Sequence, residues 1–103
     1  MGSFRGSMSE VQTIFQRSPD VVAATVGEKS FLLHIQNWVY LELNESGNRI
    51  WELLGEGESL DRVVEGLCRE FNIDRQLCAS DTAEFLAILG AKHFVLEASR
   101  AMD

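Results

Sequence analysis

The hydrophobic period of this chain switches once, at Asn44, from two to 3.6, and that switch limits what the chain can fold into. Upstream of it, three runs read as strands. Val21 to Val26 is rich in β-branched residues, Phe31 to Ile35 is apolar with His34 inserted, and Trp38 to Leu43 alternates. Alternation sets Trp38, Tyr40 and Glu42 on one face of the third strand and Val39, Leu41 and Leu43 on the other. Gly27-Glu28-Lys29 and Gln36-Asn37 read as turns, and connections this short join antiparallel neighbours.

Downstream, Asn44 suits a helix N-cap, because its side chain can accept from the free amides of the first turn. Ile50, Trp51 and Leu54 form the apolar stripe of this helix, and Gly55 ends it. Ser59 caps a second helix, in which Leu60, Val63, Val64, Leu67, Cys68 and Phe71 recur at helical spacing until Asn72-Ile73-Asp74 breaks it. A third helix runs from about Arg75 to Lys92, with Leu77, Cys78, Phe85, Leu86, Ile88 and Leu89 as its apolar residues. Phe94 to Leu96 reads as a short final strand. A three-stranded sheet cannot leave both faces wet, so the helices must cover one. The expected fold is therefore α+β and winged helix-turn-helix-like: a three-stranded antiparallel sheet, three helices and a short C-terminal strand.

The chain of 103 residues has room for one core. Residues 1–8, beginning MGSFRGS, read as a tag remnant, 9–20 as an N-terminal arm, 21–97 as the domain and 98–103 as a frayed tail. Within the arm, Val11, Ile14 and Phe15 have the spacing of one helical turn, stopped by Ser18-Pro19-Asp20.

Charge narrows the function. Nine Lys and Arg against sixteen Asp and Glu give a net charge of −7, which repels phosphate backbones. The polar residues of the third helix (Arg75, Gln76, Ser80, Asp81, Thr82, Glu84 and Lys92) do not form a cationic face either, so no nucleic acid is expected as a partner. No apolar run approaches the roughly 20 residues of a membrane helix, and no signal-peptide core is present, so no membrane partner is expected and the cytoplasm is the default location. The glycines show no phosphate-loop spacing, and no nucleophile elbow occurs. Cys68 and Cys78 read as small buried hydrophobes, while His34 and His93 lack metal-ligand spacing. No catalytic residue, metal or cofactor is expected.

What remains is an edge. The run Trp38 to Leu43 has no proline and one charge, Glu42, so it lacks the devices that block strand addition. An added peptide strand, residues 9–17 or a second copy of the chain could each cover it. A peptide-binding module thus stands beside a winged-helix transcriptional regulator and a homodimeric structural domain.

The residues from Leu41 to Leu54, Leu-Glu-Leu-Asn-Glu-Ser-Gly-Asn-Arg-Ile-Trp-Glu-Leu-Leu, resemble the signature L-N-x-[ST]-G-x-x-I-W-x-L-L of the PqqD-like family. The similarity extends through S-L-D-x-V-V-x-x-L-x-x-x-F at Ser59 to Phe71 and D-x-x-x-F-L-x-x-L at Asp81 to Leu89, from about Arg17 to Glu97 in all. The resemblance implies a RiPP recognition element, which serves ribosomally made and post-translationally modified peptides. It binds the leader of a precursor peptide as a strand antiparallel to the third strand, in a groove beside the third helix. It then presents the core segment to a modifying enzyme: a radical SAM enzyme, a cyclase or a leader peptidase. It performs no chemistry itself, as a monomer or homodimer. Carried over position by position, the peptide-binding residues would be Trp38, Val39, Tyr40, Leu41, Glu42 and Leu43 on the strand, and Asp81, Phe85, Ile88 and Lys92 on the helix. Those four helix residues lie within about 60° of one another on a helical wheel. Phe85 and Ile88 would be walls, and Asp81 and Lys92 rim charges. Asn44, Gly47, Ile50 and Trp51 would build the fold. His93 departs from the family pattern, which often has glycine there, so a shifted helix end is expected.

Overall fold

The computed structural model describes residues 11–101. Its elements follow in the order β1 (Val11–Arg17), β2 (Val21–Val26), β3 (Lys29–His34), β4 (Val39–Leu43), α1 (Glu45–Leu54), α2 (Leu60–Phe71), α3 (Arg75–Ala91) and β5 (Val95–Ala101). Strands β2, β3 and β4 form an antiparallel sheet in that order, with β2 and β4 at its edges. Leu32 sits between Ala23 and Leu41, and His34 between Val21 and Val39. Leu32, His34 and Leu43 are buried on one face, while Tyr40 and Glu42 stand exposed on the other, as the alternation requires.

The period switch marks a real boundary. Asn44 Oδ1 accepts from the Gly47 amide at 2.7 Å and starts α1 immediately after β4. Ser59 and Asp74 cap α2 and α3 in the same way, accepting from the amides of Arg62 and Leu77. Ile50, Trp51 and Leu54 of α1 pack with Val63, Val64 and Leu67 of α2 and Leu86 and Leu89 of α3 around Leu32 and Leu43. Arg49 binds Glu70 in two-pronged fashion at 2.7 and 2.5 Å and ties α1 to α2. This arrangement is winged helix-turn-helix-like.

Four expectations need correction. The arm does not form a helical turn: Val11–Arg17 is a strand that pairs antiparallel with β5, Ile14 opposite Ala98 and Phe15 opposite Glu97. Phe15 also exchanges backbone hydrogen bonds with Glu58, at 2.9 and 3.1 Å, so this segment has partners on both sides. Nor is the tail frayed up to Ala101, because β1 supplies it with a ladder. Trp38 lies outside the strand, in the turn that returns the chain from β3 to β4. Its φ is +56°, its amide donates to the His34 carbonyl at 2.8 Å, and the ring is 76 % exposed. That turn needs a left-handed residue, and no glycine is available within it. Finally, the helix end is not displaced by the missing glycine. His93 itself takes φ +63°, its amide donates to Gly90 O at 3.0 Å, and the Phe94 amide donates to Leu89 O at 2.8 Å. These are the two bonds of a Schellman end, and Phe94 and Leu89 are both fully buried beside it. The expected tag remnant, residues 1–8, lies outside the described residues.

Candidate functional site

β4 is uncovered among the described residues. The arm that could have sealed this edge is engaged by β5 on the other sheet. Where β4 ends and α1 begins, a cleft of about 660 Å³ opens between α1, the end of α2 and the first half of α3. Its apolar lining is Ile50, Leu67, Phe71, Ile73, Cys78 and Phe85. Glu42 and Asp81 belong to its rim, and Asn44, Ser46, Gly47 and Thr82 complete it.

Local sequence explains each wall. α2 stops at Asn72, which adopts the left-handed conformation at φ 52°, ψ 52°. The chain then reverses and leaves Phe71 and Ile73 38 % and 44 % exposed beside the opening. α1 contributes Ser46, Gly47 and Ile50 to the lining, and α3 contributes Cys78, Asp81, Thr82 and Phe85. Gly47 is buried, and the Phe85 ring rests against it. The floor is inert. Cys78 and Thr82 are buried, with Sγ and Oγ1 3.8 Å apart, and burial pushes the Cys78 thiol above its ordinary pKa, helped by the neighbouring Cys68 thiol. A thiol held protonated at neutral pH is a poor nucleophile. Among the described residues no three His, Cys, Asp or Glu side chains converge as a metal site. No described helix is long and apolar enough to cross a membrane.

Of the residues singled out in the sequence, Glu42, Asp81 and Phe85 meet at the cleft. Leu43 is buried behind it, and Val39 and Leu41 are half-buried against the core. Tyr40 and Trp38 stand exposed on and beside the opposite sheet face, at 69 % and 76 %. Glu42 pairs with Lys29 at 3.7 Å. Ile88 of α3 and the C-cap residue Lys92 lie outside the cleft lining. The cleft lining also includes Asn44, Ser46, Gly47, Ile50, Leu67, Phe71, Ile73, Cys78 and Thr82, which the sequence reading did not place at a peptide site. One signal was available, an isoleucine between Asn72 and Asp74 in a helix break, where loops are usually polar.

Comparison with known proteins gives the family. Residues 29–95 match the family model of coenzyme PQQ synthesis protein D, PqqD. Among solved structures, TbiB1 in complex with the TbiA(beta) leader peptide is similar at 35 % identity and a TM-score of 0.70, over 78 % of this chain and 93 % of that one. A lasso peptide synthetase B1 complexed with the leader peptide shares the fold at 24 % identity and a TM-score of 0.70, over 80 % and 96 % of the two chains. No curated protein matches. The cap at Asn44, the Gly47 contact and the buried Ile50 and Trp51 are the Leu-Asn-x-Ser-Gly-x-x-Ile-Trp signature in three dimensions, and this chain belongs to the PqqD family.

Proposed function

We propose that this protein is a non-catalytic leader-binding protein of ribosomal-peptide biosynthesis. The leader of a precursor peptide adds to β4 as an antiparallel strand and seats an apolar side chain in the cleft beside Phe85. The rest of the precursor stays free for a modifying enzyme, a radical SAM enzyme, a cyclase or a leader peptidase, in the cytoplasm where the precursor is made. The observation that carries this reading is the conjunction of an uncovered strand edge with an apolar cleft at its end, both within one copy of the chain. The 35 % identical TbiB1, seen in complex with the TbiA(beta) leader peptide, supports it.

Energetics require both parts of the site. Each main-chain bond to β4 yields about 0.5–1.5 kcal/mol net, and ordering a flexible segment costs about 2–5 kcal/mol. Backbone pairing alone therefore leaves little, and apolar burial in the cleft must bring affinity to the micromolar range, about −8 kcal/mol. In this reading the protein's role is presentation.

Isothermal titration tests this reading, with a synthetic leader of the cognate precursor and with the TbiA(beta) leader. Micromolar or tighter binding of the cognate leader is expected, with no binding of duplex DNA. If neither peptide binds, the reading fails.

A further inference from the structure

Gly47 occupies the first turn of α1 with an ordinary helical backbone, since it is not among the residues of positive φ. Nothing in the backbone asks for glycine there, and helices favour alanine over glycine. The reason for glycine is steric. A Cβ at this position would lie 3.2 Å from Phe85 Cζ, 3.1 Å from Asn44 Oδ1 and 3.5 Å from Leu43 Cδ2. The Leu43 contact is ordinary, and the first two are tight, so Asn44 and Phe85 must each give by a few tenths of an ångström. Asn44 Oδ1 is held by the Gly47 amide at 2.7 Å. The Phe85 ring is only half-buried and lines the open cleft, so it has space to move into.

We propose that Gly47 is a positioning residue of the cleft: having no side chain, it lets the Phe85 ring lie back against α1 and keeps the cleft wide enough for a peptide side chain. The proposal rests on the leader-binding reading above. A Cβ at position 47 pushes the ring toward the cleft by a few tenths of an ångström and narrows it, while the core around Trp51 and Leu54 keeps its packing. The signature glycine thereby acquires a role in recognition, apart from its place in the fold.

The test is a double-mutant cycle on the leader that binds in the titration above. Gly47→Ala should weaken binding at least fivefold in the wild-type background and less than twofold in the Phe85→Leu background, where the shorter side chain leaves room for the new methyl. Crowding of the Asn44 cap is not relieved by Phe85→Leu, so an equal loss in both backgrounds overturns the proposal, as does unchanged affinity in Gly47→Ala. A second readout needs no peptide. The Phe85 ring resonances of Gly47→Ala should shift in NMR spectra while the Trp51 indole resonance holds. Unmoved Phe85 resonances refute the proposal even if no leader binds the wild type, which separates its failure from that of the leader-binding reading.

Discussion

The sheet has two edges, and they are not equivalent. β2 is uncharged, has no proline and is exposed along all but its first residue, with Val22 at 48 % and Val26 at 67 %. β4 carries one charge and alternates between half-buried or buried and exposed positions. By strand chemistry alone β2 is the more inviting template. The difference lies behind the strands. β4 runs through Asn44 directly into α1, which brings an apolar cleft to its end. β2 borders a smaller recess of about 330 Å³ whose lining mixes Ala23, Ala24, Phe31, Leu43 and Trp51 with Arg17, Thr25, Ser30, Asn48 and Glu52. An edge supplies main-chain bonds to any extended peptide, and a pocket beside it selects among peptides. The proposed recognition edge is therefore β4, and the comparison can be tested at both edges.

The largest expected difference is in stability. Leu43 of β4 is 6 % exposed and belongs to the core, so Leu43→Ala should cost about 2–5 kcal/mol. Val22 of β2 is half exposed, and Val22→Ala should stay within about 0.5 kcal/mol. Urea denaturation of the two variants measures this. Equal costs would mean that β2 is covered in solution by something that binds along it.

The next difference is in binding. Ile73 is 44 % exposed and lines the cleft from a loop, so Ile73→Glu places a charge in the cleft without disturbing a helix. Leader affinity should fall at least about tenfold, or roughly 1.4 kcal/mol, with the melting temperature kept. Ala24→Glu on the β2 edge should change affinity less than twofold. The reverse result would move the peptide to β2.

The same contrast explains what could be read in advance. The switch at Asn44, the alternation from Val39 to Leu43 and the caps at Asn44 and Ser59 are local patterns, and each is present as read. The β1–β5 ribbon is not local. It joins opposite ends of the chain, and the buried Ile14, the half-buried Phe15 and Arg17, whose guanidinium donates to Trp51 O, occupy both faces of β1. Neither face of β1 is purely apolar, so no period of two survives to mark a strand. In the cleft, periodicity shows that Phe71 and Phe85 are apolar but not that they stop short of filling the space between helices. That depends on the angle at which α1 and α3 meet, and on Gly47, whose absent side chain is visible only once Phe85 is placed against it.

The smallest effect concerns how the β4 side is held. α1 is fastened to α2 by Arg49 and Glu70, and the hydrogen bonds from Arg49 hold the Glu70 carboxyl below its ordinary pKa of about 4.5. A carboxylate whose pKa is depressed in the folded state contributes stability above its unfolded value, and that contribution disappears as pH falls through the folded value. Glu70→Gln should therefore melt slightly below the wild type at pH 7, with the gap closing as pH drops below about 4.5 and gone once the Glu70 carboxyl is protonated in the wild type as well. The pair is exposed and salt screens it, so the pH 7 gap should also shrink in 1 M NaCl, where the screening length is about 3 Å. Leader affinity at pH 7 should respond as well, because α1 forms one wall of the cleft and a loosened α1–α2 contact lets that wall move. Calorimetric scans of both proteins from pH 7 to pH 3, paired with one titration at pH 7, decide the matter. A gap that widens toward acid would show that Glu70 stabilises the fold in its protonated form and that the Arg49 pair does not hold this side of the sheet.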